Sequence, residues 1–575
     1  GEKMSEKRIV IDPITRIEGH LRIEVVVDEN NVVKEAYSGS TLWRGLEQIV
    51  KNRDPRDAGF FMQRICGVCT YSHYRAGIVA VEDALGIKPP LNAELTRTLM
   101  NAALYLHDHI VHFYQLHGLD WADVVSALSA DVHKASEEAF KYTSTPFATG
   151  ADKLKEVKER VEAFVKKGNL GPFANAYWGH STYKFTPEQN LIVLSHYLEC
   201  LRIQRTAAQM MAIFGAKNPH PQSLTVGGVT CVMDLMDPAR MGEYMSKFAE
   251  IKEFVDRAYY PDILMAAKAY ANEPSVLNDV GVSNLFCYDE FLIGKNDHLF
   301  KGGIILNGDL SKVYDINEDK ITEEATRAWY KNDKALHPYD GETEANYTGL
   351  VDGESIDGEG KLAHSKLFDT KGKYSWIKAP RYDGMPMQVG PIASIVINYA
   401  KGNERVKKVV DEFLAKSGLP LSAVFSTLGR TAARMLEAKV VAEHTMDAFN
   451  ALIENLKTDQ ETCTKYVIDN SKEYKGHFKG NAPRGALSHW CRIKDGVISN
   501  WQAVVPSTWN ASPKDAKGQM GSYEACLVGM KIADLSKPLE IIRKIHSYDP
   551  CIACAVHVMD TKGNDLSTYK INPNL

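Results

Sequence analysis

The sequence predicts a mainly helical chain with peripheral β structure, an α+β fold. It is expected to form a single integrated domain around a long-helix core, with both termini converging on a metal site. Three observations lead there. Long proline-free stretches carry apolar residues at helical spacing, whereas the opening residues alternate or run apolar as strands do. Two Cys-x-x-Cys pairs lie near opposite ends, Cys66-Gly-Val-Cys69 and Cys551-Ile-Ala-Cys554. Each pair can bring two sulfurs to one ion, and soft thiolates select zinc, iron clusters, copper(I) or nickel over magnesium or calcium. For the four sulfurs to meet, the two ends must fold into one core.

Taken in order, Ile9-Val-Ile-Asp-Pro13 and Leu21-Arg-Ile-Glu-Val-Val-Val27 read as strands, the second closed by a hairpin turn at Asp28-Glu-Asn-Asn31. From about 92 to 117, Leu95, Leu99, Ala103, Leu106 and Ile110 recur at helical spacing, which puts Asp108 on a rigid element close to the core. Gly227-Gly228 follows Pro219-His-Pro221 and reads as a tight turn, not a phosphate cradle. Helices are predicted over 243–259 and 403–416, the latter stopped by Gly418 and Pro420. Between about 296 and 383 the chain turns to Gly, Asp, Lys and Tyr. With Trp329, Tyr330, Tyr374 and Trp376 to bury, this stretch is expected to be a peripheral lobe of short strands and loops. The alanine- and leucine-rich run from 427 to about 457 predicts a central helix.

Composition sets weaker bounds. The 575 residues suffice for a large core, and Lys+Arg 68 against Asp+Glu 73 gives no reason to expect nucleic acid as a partner. No apolar run approaches a membrane span, and Gly1-Glu-Lys-Met-Ser-Glu-Lys-Arg8 lacks the apolar core of a signal peptide. The expectation is a soluble chain with no export signal of its own. Cys200, Cys231, Cys287, Cys463, Cys491 and Cys526 have no ligand spacing and read as buried small apolar residues. No disulfide framework is expected at this length, nor any iron–sulfur cluster within this chain.

The neighbours of the cysteines narrow the chemistry. The pairs sit in Arg64-Ile-Cys-Gly-Val-Cys-Thr-Tyr-Ser-His73 and Asp549-Pro-Cys-Ile-Ala-Cys-Ala-Val-His557, without the setting of a small zinc module. Further motifs are Arg16-Ile-Glu-Gly-His20, Trp43-Arg-Gly-Leu-Glu47, His107-Asp-His-Ile-Val-His112, Tyr374-Ser-Trp-Ile-Lys-Ala-Pro-Arg-Tyr382, Ala482-Pro-Arg-Gly485 and Val504-Val-Pro-Ser-Thr-Trp509. In this order, along essentially the whole chain, they resemble the large subunit of nickel–iron hydrogenases, most of all the membrane-associated respiratory uptake group.

The resemblance implies reversible heterolysis of H2 at a nickel–iron centre whose iron carries carbon monoxide and cyanide, installed by accessory metallochaperones. Cys66 and Cys551 would bind nickel terminally, and Cys69 and Cys554 would bridge nickel to iron. Glu18 matches the family's proton-transfer glutamate. Arg484, after Pro483, matches an arginine above the open metal position, held by Asp108 and Asp549. Ser507 matches a hydroxyl donor to a cyanide, and His73 a donor to a ligand sulfur. Glu47, His557 and the Ala503 carbonyl match ligands of a magnesium or other divalent ion. Electrons would leave through an iron–sulfur small subunit to a membrane cytochrome b and quinone. The heterodimer would be exported folded, on the small subunit's signal, to the periplasmic side of the membrane.

Two departures lie outside the ligand set: Asn481 stands where an acid is expected before Ala-Pro-Arg, and Gln388 precedes Val-Gly-Pro391. The chain also continues beyond His557. The resemblance implies a domain over 1–557 and a 558–575 extension, read as a strand and turn, that a maturation protease removes between His557 and Val558. Two alternatives stay open at this point: a hydrogen sensor that shares the ligands, and a structural zinc protein, which would leave Glu18, Arg484 and Asp108 without a reason.

Overall fold

The computed structural model describes residues 6–168, 170–174, 176–279 and 281–555. Near the start, β1 (Lys7–Ile11) pairs antiparallel with β2 (Leu21–Val27), and β2 with β3 (Val33–Ser40). The turn between β2 and β3 forms because the Asp28 carboxylate accepts the N–H groups of Asn30 and Val32, at 2.9 and 3.0 Å. Two later strands, β4 (Val351–Ile356) and β5 (Leu362–Leu367), extend this sheet in the order β5-β4-β1-β2-β3, with Ile9 opposite Ile356 in a parallel pair. Two strands of the 296–383 stretch thus share a sheet with the N-terminal strands, while Ile321–Glu324 pairs with Ala379–Tyr382 in a separate ribbon. The aromatic residues of the stretch close over Trp43, whose ring stacks on Trp376 at 5.0 Å.

The helices form the larger layer: α1 (Thr70–Leu85), α2 (Leu91–Val111), α3 (Pro187–Gly215), α4 (Pro238–Phe254), α5 (Glu404–Ser417) and α6 (Thr427–Leu456). Helix α2 buries Leu95, Leu99, Ala103, Leu106 and Ile110, the apolar residues that predict it, and packs on α3 and α6. It continues into a π-helical turn, His112–His117. Helix α4 is likewise followed by a π turn, Val255–Tyr259. Caps set the boundaries elsewhere: Asn403 before α5, with Gly418 at φ 74° after it, and Ser426 before α6. Gly228 opens the return strand of a tight turn, paired with Thr225. Of the scattered cysteines, Cys463 is half-buried and the others are buried; all ten are free. No helix among the described residues is long and apolar enough to cross a membrane.

A second sheet joins β6 (Tyr474–Ala482), β7 (Gly485–Lys494) and β8 (Val497–Val504) through two hairpins. Near the end lie α7 (Leu539–His546) and α8 (Ile552–Ala555). A buried hub ties both ends to α2. Asp120 accepts from Arg16 at 2.6 Å, from His117 Nδ1 at 3.0 Å and from His546 Nδ1 at 2.6 Å. Its make-up resembles a metal site, yet its lone pairs are committed. The Trp121 indole N–H donates to His117 Nε2 at 2.9 Å, which puts that ring's proton on Nδ1, facing Asp120.

Candidate metal centre

The first cysteine pair precedes α1, with Cys69 at its N-terminal boundary. The turn aims the N–H groups of Val68 and Cys69 at Cys66 Sγ, at 3.2 and 3.1 Å. The second pair is carried by Cys551 and α8. Their sulfurs meet: Cys66 to Cys551 is 3.2 Å, Cys69 to Cys554 3.3 Å, Cys69 to Cys551 3.7 Å and Cys551 to Cys554 2.7 Å. All four cysteines are buried, at most 2% exposed. Burial opposes ionisation, but the three neighbouring thiols and Arg484 draw Cys66 well below the usual thiol range. Burial and the Cys66 charge together push Cys554 well above that range. One anion among crowded sulfurs therefore resists the next, and a soft cation removes the conflict.

Glu18 lies against this cluster. Its N–H donates to the Pro550 carbonyl at 3.2 Å, and its carbonyl accepts from Ile552 N–H at 2.8 Å, so the first and last parts of the chain pair like strands. Gly19 follows at φ +86°, where a Cβ would strike the backbone of Ala553. The Glu18 carboxylate accepts from Cys551 Sγ at 3.3 Å and from Ala553 N–H at 2.9 Å. Burial first, then the Cys66 charge, pushes it up to about 7.

Arg484 is the cationic neighbour of the cluster, with Cys551 and Cys69 acting on its charge. Pro483 and Arg484 form the two-residue turn between β6 and β7, where Ala482 pairs with Gly485. Gly485, at φ +128°, has no room for a Cβ beside Gly390. Arg484 donates to Asp108 at 2.9 Å and lies 3.2 Å from Asp549, both acids being buried. Burial lowers the guanidinium, but Asp549, Cys551 and Asp108 overcome this and hold it well above its ordinary range. Asp549 itself stands at φ 55°, and burial raises its carboxyl.

The other expected residues fall around this core. Ser507 Oγ accepts the Cys551 N–H at 3.0 Å. Glu47 is buried, one oxygen accepting from Ala503 N–H at 2.9 Å and the other from Thr343 Oγ1 at 2.6 Å. His557 and Val558 lie outside the described residues. His73 is buried, and its Nδ1 meets His489 Nε2 at 3.0 Å. Trp501 N–H donates to His489 Nδ1 at 3.1 Å, so His489 carries its proton on Nε2 and donates to His73. The His73 proton is thereby forced onto Nε2, a buried donor with no protein partner among the described residues. Burial keeps that ring neutral, pushing it down to about 4.

The profile of a family described as nickel-dependent hydrogenase matches residues 44–557, and a HoxL-like profile matches 8–38. The chain belongs to the nickel-dependent hydrogenases. It is similar to the quinone-reactive Ni/Fe-hydrogenase large chain of Wolinella succinogenes, 65% identical and covering 99% of this chain and 98% of that one. An uptake hydrogenase large subunit of Rhizobium leguminosarum bv. viciae is 44% identical, with 99% and 98% covered. Among solved structures, the reduced Ni-Fe-Se hydrogenase of D. vulgaris Hildenborough superimposes with a TM-score of 0.75 at 30% identity, over 96% of this chain and 100% of that one. The protein is therefore the catalytic large subunit of an uptake hydrogenase, and the thiol cluster has the donor set its nickel requires.

The departures in this hydrogenase have local reasons. Asn481 accepts from Tyr288 N–H at 3.1 Å and donates to Tyr288 O at 2.8 Å, and an acid could make only the first bond. Gln388 donates to the Val282 carbonyl at 2.7 Å. Sequence reasoning missed His489, Trp501 and Thr343, because contacts between separate strands and loops have no spacing signal.

Proposed function

We propose that this hydrogenase oxidises H2 in a respiratory chain at a nickel–iron centre with Cys66 and Cys551 as terminal nickel ligands and Cys69 and Cys554 as bridges. The observation that carries this is the meeting of four buried sulfurs with a carboxylate, Glu18, in contact with one of them. When bound, the metal pair, its iron carrying carbon monoxide and cyanide, supplies the polarisation that splits H2 heterolytically.

The protein's own groups then divide the work. Glu18 takes the proton from the Cys551 sulfur, since its carboxyl is poised near neutrality and 3.3 Å away. Arg484, fixed by Asp108 and Asp549 and following Pro483 in the turn, keeps its charge and would act on H2 beside the metals. His73 Nε2–H is a suitable donor to a ligand sulfur, and Ser507 retains its hydroxyl proton for a cyanide. Glu47, the Ala503 carbonyl and His557 are the ligands we assign to a magnesium or other divalent ion. Cleavage between His557 and Val558, by a maturation protease acting after the metallochaperones, would remove 558–575.

Electrons leave one at a time, which requires an iron–sulfur small subunit beside this chain. Likeness to a quinone-reactive large chain supports a membrane cytochrome b and quinone beyond it, with the heterodimer on the periplasmic side. Infrared spectroscopy with nickel and iron analysis of the purified complex tests the centre. Sharp carbonyl and cyanide bands with stoichiometric nickel are expected; zinc without those bands would overturn the assignment. Intact mass tests the processing step, which fails if active enzyme still carries residues 558–575.

A further inference from the structure

Behind Arg484 a line of hydrogen bonds runs outward. Asp108 Oδ2 takes the Arg484 guanidinium at 2.9 Å, and its Oδ1 lies 2.9 Å from His107 Nδ1. His107 Nε2 faces Gln204 Oε1 on α3 at 3.3 Å. The Gln204 amide is oriented by donating to the Leu201 carbonyl at 3.2 Å, so its oxygen points at the ring. A carboxylate and an amide oxygen only accept, and His107 therefore meets an acceptor at each nitrogen. The stronger bond is the shorter one to the charged oxygen. Asp108 has a side chain with 0% exposure, whereas that of His107 has 18%, on the outer side of α2.

We propose that His107 is a positioning residue for Arg484, acting through Asp108. The Nδ1–H holds Oδ1, which keeps the carboxylate from turning and so presents Oδ2 to Arg484. Deprived of that donor, the buried carboxylate can rotate, and the guanidinium loses one of its two anchors. Because His107 touches neither the sulfurs nor Arg484, its effect is on turnover, not on metal content. The proposal rests on Arg484 acting at the metals.

The test compares His107→Asn, His107→Gln and His107→Ala in the complete complex, with Arg484→Lys as a reference. Asn carries its amide N–H near the position of Nδ1, whereas Gln carries it near Nε2. Turnover within about twofold of wild type is expected for His107→Asn, against about a tenfold loss for His107→Gln and His107→Ala, because misplacement of a reacting group is costly. Nickel content and thermal midpoint are expected to be unchanged throughout. A packing role would favour the larger Gln, so Gln equal to or better than Asn overturns the proposal. So does a loss of activity that tracks a loss of nickel. If Arg484→Lys is slow while all three His107 variants behave as wild type, this proposal alone fails; if Arg484→Lys matches wild type, the reading of Arg484 fails and takes this one with it.

Discussion

Glu18 and Arg484 both stand beside the thiol cluster, one an acid and the other a base. Burial works against charge on both, yet only the carboxylate yields. Glu18 is met by a thiol and one backbone N–H, with a negative sulfur beside it, and its carboxyl rises to about 7. Arg484 is met by two carboxylates and stays charged. Arg484 is the more deeply buried of the two, so company and not burial decides which group exchanges protons at neutral pH and which does not. The first can move a proton, and the second can only set a field.

The strongest break in this comparison is Glu18→Gln. The amide can still accept from Ala553 N–H, so the local pairing and the metals are retained, while hydrogen–deuterium exchange falls by about 1,000-fold. Normal exchange in a nickel-replete variant would refute the role. Arg484→Lys keeps a charge but lacks the planar fork that reaches Asp108 and Asp549 together, and turnover is expected to fall about 100-fold with nickel intact.

A smaller effect sharpens the acid side. Glu18 accepts a proton only when ionised, so H2 oxidation should rise with pH through a midpoint near 7, with the slow limb on the acidic side. Glu18→Gln removes that limb. On the arginine side, Asn481→Asp sets a carboxylate oxygen against the Tyr288 carbonyl, three residues before Arg484. The expected loss is about 1–3 kcal/mol of stability, read by denaturant unfolding, with metal content preserved.

Much of this was legible in the sequence because periodicity and capping are local. The helices at 92–117 and 427–457 and the turn at Asp28 announced themselves in this way. Helix α3 was missed although Thr186 and Gln189 form a reciprocal cap with Pro187 at the first helical position, a signal that the apolar pattern does not need. The β7–β8 hairpin was missed despite Asp495-Gly496, both at positive φ, the pair that a two-residue turn favours. The ligand cysteines and Glu18 could be named from motif resemblance, since order along the chain carries that information. What holds them could not: the His489 contact to His73, the Thr343 contact to Glu47 and the Gln204 contact to His107 link residues from 97 to 416 positions apart. Such pairings arise from the packing of whole elements, and no window of sequence contains them.

The strand-like pairing of Glu18 with Pro550 and Ile552 has a consequence for how the protein is made. Cys69 and Cys551 are 482 residues apart, and a ribosome delivers them in that order. Through nearly all of synthesis half the donor set exists without the other half, and Glu18 has no strand to pair with. The centre therefore cannot be assembled piecemeal as the chain emerges. The four sulfurs can meet only once the short helix Ile552–Ala555 has been translated, so the donor set is completed late, by a segment that must dock against residues made at the start.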